Sequence, residues 1–537
     1  MSEKNTMQIS GQISDRFRRA MEKRSKWDAL WRECYAYALP QYDGVTQSSN
    51  PGEVRTATLF DGTAPDGVDQ LASSLLGELT PPWGRWFSLT AGSEASPEAA
   101  ADAAKALEFV SDTVRGHFER SNFAIEMHQC FLDLVTVGTA CLLFEEAPAG
   151  SNSAFQFTAI PLGQIAFEEG QGGKLDTTYR RSELSAEVFV QRFPNAALPD
   201  QSASGKSDPQ RIAVIESVRP KDGGFEYSAV RENMAKTNSD DNILASGTFK
   251  QSPFINFRWL KAPGEVYGRS PVMKALPDIK TANKVVELVL KNASIAVTGI
   301  WQADDDGVLN PATIQLTPGT IIPKAVGSQG LTPLSAPGSF DVSQLVLDDL
   351  RNRIKSALLV DKLGQPSAPA MTATEVLTRS AEISRMLGAT YGRLQSELLV
   401  PLMNRALSVL SRRGDIPEIN LDGRAIAMTW RSPLARSYSR HEAREAMQWM
   451  EAIKTLGPEA TSQIDTVSAV QWLAKAFDVP ESILKSGNNT NSTDNTDNTG
   501  DVLGAALADA LATTPPVPIT PLPVPTQIAE EGPRHGK

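Results

Sequence analysis

The residues of this 537-residue chain that could do chemistry are few, and their spacing completes no reactive set. The four histidines, His117, His128, His441 and His535, are scattered. His128 and Cys130 lie two apart, but no second Cys/His pair completes a tetrahedral zinc site; they read as a partly buried pair on a helix. Asp304-Asp305-Asp306-Gly307 suggests calcium, yet it lacks the alternating ligands and distal Glu of an EF-hand loop and reads as a solvated turn. Gly170-Gln171-Gly172-Gly173-Lys174-Leu175 comes nearest to a phosphate loop. It lacks the G-x-x-x-x-G-K-[ST] spacing and places Leu175 where the magnesium-binding hydroxyl belongs, so it is expected to be a turn. With no G-x-S-x-G elbow and no H-E-x-x-H pair either, the sequence offers no nucleophile, no metal site and no cofactor. The chain is expected not to be an enzyme.

Two further clusters invite a binding reading. Pro81-Pro82-Trp83-Gly84-Arg85-Trp86-Phe87 gathers three aromatics and an Arg after a helix stop. Such a set can stack on bases, anchor a protein interface, or pack in a core; without a surrounding run of Lys and Arg, packing or an interface is favoured. Gly388-Ala389-Thr390-Tyr391-Gly392 places small residues four apart on a helix, which permits a close helix crossing.

The elements that must position these residues are mainly helical. The longest spans Met371 to about Arg413, opened by a Thr372/Glu375 capping box and striped by Val376, Ile383, Leu387, Leu394, Leu398 and Leu402. It extends roughly 60 Å at ~1.5 Å per residue, a length suited to a rod-like part of an assembly. Other helices are expected at 7–39, ended by Pro40, at Thr58–Leu79, from Pro97 to about Arg120 with Ser96 as N-cap, at Ala275–Val297 and at Val342–Leu359. The stripe Ile279, Ala282, Val286, Val289, Ala293, Ala296 is widened by Val285, Leu288 and Leu290, so that helix should be packed on more than one side. Residues 121–270 hold β-rich runs at Phe155–Ile160, Ile212–Val218, Phe225–Val230 and Phe254–Trp259, with helices near Ala124–Val137 and Ser185–Arg192. This is an α+β pattern, not an alternating βαβ one. Residues 298–338 are rich in β-turn signals, and a Gly/Pro segment, Asp361–Ala370, precedes the long helix. After Gly414 come a small strand, Ala425–Trp430, and helices from Ser439 and Thr466. Asn/Thr/Asp- and Pro-rich tracts then fill the tail, which is expected to be disordered.

Composition narrows the class. Apolar residues make up 41%, enough for a substantial core, and the net charge is −11. A protein that coats nucleic acid usually carries a strong basic excess, so extensive phosphate binding is not expected. Three cysteines, Cys34, Cys130 and Cys141, without paired spacing suggest reduced thiols and assembly in a cytoplasm. No signal peptide is visible, and no apolar run approaches the ~20 residues of a membrane span.

Four segments, in this order, carry a family resemblance: Trp31-x-x-Cys34 to Pro40; Leu59-Phe60-Asp61-Gly62-Thr63-Ala64 with Leu71-Ala72-Ser73 and the Pro81–Phe87 cluster; Tyr267-Gly268-Arg269-Ser270-Pro271 with Ala275-Leu276-Pro277-Asp278-Ile279-Lys280; and Met371-Thr372-Ala373-Thr374-Glu375-Val376 with Gly392-Arg393-Leu394-Gln395 and Pro401-Leu402. Over roughly residues 10–480 the chain resembles the portal, or head-to-tail connector, proteins of short-tailed, podovirus-type bacteriophages.

The resemblance implies an α+β, mainly helical portal fold in a ring, usually of twelve subunits, with a central channel at one capsid vertex. Residues 1–275 and 372–436 would form the wing, 276–298 and 341–359 the stem helices, 299–340 the clip and 437–485 the crown, leaving 486–537 as tail. Within the tunnel loop, 360–371, Asp361, Lys362, Leu363, Gly364, Gln365, Pro366 and Ser367 would line the channel. It further implies genome packaging by a terminase docked on the clip, later tail adaptor proteins in the same place, contact with major capsid and scaffolding proteins, and double-stranded DNA passing through. The location would be the virion, after assembly in the host cytoplasm, with no membrane contact. A different ring-forming virion protein, such as a tail adaptor or tube subunit, is the competing reading, and an enzyme of unfamiliar type the weaker one.

Overall fold

The computed structural model describes residues 3–41, 44–45, 56–92, 97–196, 211–232, 243–298, 300–302, 332–334, 340–360, 388–417, 426–430, 443, 445–453 and 465–477. Helices dominate. In chain order they are α1 (Glu3–Ala38), α2 (Thr63–Leu79), α3 (Pro97–Arg120), α4 (Phe123–Val137), α5 (Ala186–Arg192), α6 (Pro271–Thr298), α7 (Phe340–Ala357), α8 (Val400–Arg413) and α9 (Thr466–Phe477). The helix α8 continues backward into a π-helical turn, Gln395–Leu399, and helical residues 388–394.

Among the described residues the strands form four antiparallel sheets. Three of them, β3 (Phe155–Ala159), β2 (Thr139–Glu146) and β9 (Phe254–Arg258), pair in the order β3-β2-β9. Five more make the sheet β4-β5-β6-β7-β8: Ile165–Glu168, Thr177–Leu184, Ile212–Lys221, Gly224–Arg231 and Ile243–Phe249. The pair β1 (Phe87–Ala91) and β12 (Ile426–Trp430) joins Phe87 to Trp430, and β10 (Ile300–Gln302) pairs with β11 (Thr332–Leu334). Every pairing is antiparallel, which bears out the α+β pattern.

The principal core collects α2, α4, β2, β3, β9, the start of α6, the end of α7 and α8. Ten of the fifteen residues of α4 are buried, among them Met127, Cys130, Phe131, Leu134 and Val135, at roughly 1.5–3 kcal/mol for each large apolar side chain. The five-stranded sheet is covered twice. Ile13, Phe17 and Ala20 of α1 pack on Ala166, Tyr179, Ile215 and Val230, while Phe189 and Phe193 pack on Ile212, Val214 and Ala229.

Several strands were not expected, for a common reason. β2 reads TACLLFEE with six consecutive buried residues, so it lacks the alternation that marks a half-exposed strand. β5 is polar, and its charges are satisfied by partners distant in sequence: Arg180 by Glu216 and Arg181 by Glu232. The helix expected from Thr58 starts instead at Thr63, because Asp61 turns the chain first by accepting a hydrogen bond from Thr63 N at 3.0 Å. The Thr372/Glu375 capping box lies outside the described residues.

Candidate functional site

α6 and α7 pack against each other as an antiparallel hairpin whose base sits in the core. Val272, Ala275, Leu276, Ile279 and Ala282 are buried on α6, and Leu350, Ile354 and Leu358 on and just after α7. Beyond Asn283, none of the described α6 side chains to Ser294 is buried, and none on α7 before Leu350. Leu288, Leu290, Leu345 and Val346 are exposed, Leu345 at 74%. The apolar stripe of α6 is therefore buried at its base and only half-buried at Val286, Val289 and Ala293, with Leu288 and Leu290 exposed beside it. The expectation of packing on more than one side is not met within one subunit.

The base is held by a polar joint centred on Leu59–Ala64. Asn283 Oδ1 accepts from Phe60 N at 2.6 Å and Asp61 N at 3.1 Å, and Asn283 Nδ2 donates to Thr58 O at 2.9 Å. Asp61 Oδ2 accepts from Arg351 Nε at 2.9 Å, with Nη2 at 2.8 Å. Burial pushes the Asp61 carboxyl up, but hydrogen bonds from Thr63 and Arg351 outweigh it and hold it below the ordinary carboxylate range. One short loop thus fastens both helices of the hairpin. α2 closes the joint: a Cβ on Gly67 would stand 2.6 Å from Leu358 Cδ1. Leu359 then takes φ +59°, a left-handed conformation costly for a branched side chain, and turns the chain immediately before Asp361.

A second joint sets the direction in which α6 leaves the body. Ser270 Oγ accepts from Met273 N at 2.9 Å as an N-cap and donates to Thr136 O at 2.8 Å, with Pro271 opening the helix. Gly138 and Gly268 bring two backbones together there. Gly138 has φ +76° and closes α4, Gly268 N donates to Thr139 Oγ1 at 2.8 Å, and a Cβ on Gly268 would overlap Gly138 O. Tyr267 stacks edge-on against Trp31 at 5.1 Å, and Arg269 lies 5.0 Å over Trp27. The segments Trp31–Pro40 and Tyr267–Pro271 are thus two sides of one contact.

A third joint holds the long helix. The fully buried Arg258 reaches Glu397 with Nε at 3.2 Å and Nη2 at 2.7 Å, while Arg258 N donates to Glu397 Oε2 at 3.0 Å. Glu397 sits in the π-helical turn just before Pro401, which has no N–H to give the preceding turn. Asn283, Arg351, Arg258 and Glu397 were not singled out in the sequence. The available signal was a lone polar residue, Asn283, on the otherwise apolar α6 stripe.

The expected channel residues Asp361, Lys362, Leu363, Gly364, Gln365, Pro366 and Ser367 lie outside the described residues, as do His441, His535 and Asp304–Gly307. The glycine-rich segment at 170–175 is a turn, with Gly172 and Gly173 at positive φ and Gly173 O accepting from Arg258 Nη2. His128 Nε2 meets Ser73 Oγ at 3.2 Å on the surface, while Cys130 is buried. The aromatic cluster divides: Trp86 and Phe87 are core, Arg85 pairs with Glu108 and Asp112, and Trp83 is 92% exposed. Among the described residues no close crossing is made at Gly388 and Gly392, since none of them lies within 4 Å of a Cβ built at either. Among the described residues no His/Cys/Asp/Glu group could hold a metal ion.

A sequence profile for a family described as bacteriophage head to tail connecting protein matches residues 10–484. The probable portal protein of Bordetella phage BPP-1 is 24% identical over 488 residues, covering 87% of each chain. The portal protein of Enterobacteria phage T3 is 22% identical over 409 residues, covering 75% of this chain and 74% of its own. Among solved structures, a chain of a native gene transfer agent virion aligns at 12% identity with a TM-score of 0.33, covering 78% of this chain and 92% of that one; a likeness that slight carries no argument.

Proposed function

The chain belongs to the bacteriophage head-to-tail connecting protein family and is a head-to-tail connector, and from that premise we propose that its copies close into a ring with a central channel, twelve subunits in number. The burial gradient along the α6–α7 hairpin carries this reading. A helix pair anchored by its base, with Leu288, Leu290, Leu345 and Val346 bare along its length, requires neighbours. A ring supplies them, because each hairpin then packs between two others through the same pair of faces.

In this reading the hairpin is the stem, and residues 299–340 at its far end form the clip on which a terminase and later the tail adaptor proteins dock. Residues 361–370 leave α7 at its base, where Leu359 turns the chain, and line the channel that double-stranded DNA crosses during packaging and ejection. The body made by α1 to β9 with α8 is the wing, in contact with capsid and scaffolding proteins, and residues 437–485 face the head interior as the crown. The work on DNA is done by the terminase, so the purified chain should hydrolyse no nucleotide.

The test is light scattering and negative-stain microscopy of the purified full chain, beside the double variant Leu288→Glu, Leu345→Glu. Rings with a central hole, lost in the variant while the subunit stays folded by circular dichroism, are the expected result. A monodisperse monomer at micromolar concentration, with no rings at any salt, would overturn the ring.

A further inference from the structure

One surface of the molecule plays no part in the joints. Along the half of α1 that covers the five-stranded sheet, Arg16, Arg19, Lys23 and Lys26 recur three or four residues apart and form one stripe. With Glu22 and Glu168 they line an open groove of about 390 Å³. Arg24 fixes this stretch to the body, its Nη1 donating to Leu162 O, Gly163 O and Ile165 O at 2.9, 2.6 and 3.1 Å. Arg16 is taken up by Glu168, which also accepts from Tyr179. Arg19 is exposed and donates its Nε to Asp15 O at 3.3 Å. Lys23 and Lys26 are exposed and make no ion pair among the described residues. Three cations are left side by side on a rigid helix, in a chain whose net charge is −11.

We propose that this ridge is a contact site for the phosphate backbone of double-stranded DNA, on the wing and separate from the tunnel loop. The lining of the groove selects this partner. All six of its side chains are charged, and none is apolar or aromatic. Protein interfaces are depleted of Lys and Glu at their centres and set their Arg anchors among buried aromatic and aliphatic side chains; here Arg19 has none beside it in the groove lining and Arg16 is taken up by Glu168. A phosphate backbone needs none, since Arg and Lys side chains supply its contacts without regard to sequence. The axial intervals along the helix, roughly 4.5 to 6 Å at ~1.5 Å per residue, also let neighbouring cations address successive phosphates. A short ridge of three cations gives a weak, salt-sensitive grip, compatible with DNA that must slide or unwind from the particle. The later half of α1 belongs to the hairpin base, where Glu33 pairs with Lys280 at 3.1 Å, so the ridge is a second contact and not an extension of the channel. The proposal rests on the connector reading.

The test is fluorescence anisotropy of a labelled duplex of arbitrary sequence with the purified full chain at a series of salt concentrations. The wild type is compared with the triple Arg19→Ala, Lys23→Ala, Lys26→Ala and with a charge-matched control, Lys174→Ala, Lys221→Ala, Lys250→Ala. The expected result is that the ridge triple weakens binding about tenfold or more at low salt. It should also flatten the slope of log affinity against log salt by about 0.9 for each lost phosphate contact, while the control does neither. Equal loss in both triples, or no loss in either, overturns the proposal, as does failure of the wild type to bind duplex. Preferential displacement of DNA by an acidic peptide at equal charge would assign the ridge to a protein instead. Microscopy of the same samples separates the two readings: absence of rings counts against the connector assembly, while rings with unchanged DNA binding count only against the ridge.

Discussion

Arg258 and Glu397, 139 positions apart, form a two-pronged ion pair in which Nε meets Oε2 at 3.2 Å and Nη2 meets Oε1 at 2.7 Å. Arg258 also donates to Val266 O and Gly173 O, at 2.9 and 2.7 Å, and its Nη1 lies 3.4 Å from Glu169 Oε1, so a fully buried cation is satisfied by two carboxylates and two backbone carbonyls. The pair fixes the π-helical turn against the end of β9. Glu397→Ala should lower unfolding free energy by about 3 kcal/mol, because it removes the two-pronged partner of a buried guanidinium and leaves only the longer contact to Glu169. The double variant Arg258→Met, Glu397→Met should cost less than Glu397→Ala alone. Urea denaturation of all three would decide; a double variant as unstable as the sum of its parts would contradict the pairing.

Asp61 and Arg351 should control the seating of the hairpin more than global stability. Arg351→Leu is expected to cost about 1–2 kcal/mol, toward the low end for a hydrogen bond to a charged group since Arg351 is 38% exposed. Hydrogen exchange should rise selectively around 350–358. The Asp61 carboxyl is held below its unfolded value, so its stabilising contribution is present above the ordinary carboxylate range and is lost as pH falls through the lower folded value. Asp61→Asn should remove that acid dependence.

Asp133 behaves in the opposite sense. Burial in α4 raises its carboxyl to about 7, against a hydrogen bond from Tyr35 at 2.8 Å that lowers it. The folded chain therefore holds this proton more tightly than the unfolded one, and stability should decline as pH rises from the ordinary carboxylate range to about 7. Asp133→Asn keeps the shape and removes the charge. Its melting temperature should exceed that of the wild type by more at pH ~8 than at pH ~5; a constant offset would refute this.

Glycines at two joints should respond with opposite sign. Gly268→Ala drives a methyl into the Gly138 carbonyl, where neither backbone can yield, and should cost about 3 kcal/mol or more or abolish soluble expression. Gly392→Ala, in a helix, meets nothing within 4 Å among the described residues and should stabilise the subunit by roughly 1 kcal/mol. If neighbouring copies cross at Gly388 and Gly392, the same change will impair ring formation while the melting temperature of the subunit rises. Microscopy and calorimetry on one preparation would separate these effects.

The sequence by itself determined the helices and where most of them stop. Pro40 follows α1, Pro97 and Pro271 open α3 and α6, and Gly414 closes α8, because chain breakers and apolar periodicity are local properties that neighbours rarely override. It also carried the order of helix, excursion and helix on which the family resemblance rested. Only the tertiary structure decided what those motifs do. Asp61 looked like part of a helix until Arg351 and Asn283 arrived from elsewhere. β5 was too polar to read as a strand until Glu216 and Glu232 neutralised its arginines. The strand at 426–430 had no visible partner until β1 met it from more than three hundred residues away. Buried charges and edge strands depend on partners distant in sequence, and pattern along the chain records that a residue is polar but not what will satisfy it. The outer length of the α6–α7 hairpin marks the same limit one level up: its apolar stripe was legible in the sequence, but that this subunit covers it only in part and leaves Leu288, Leu290 and Leu345 exposed was not.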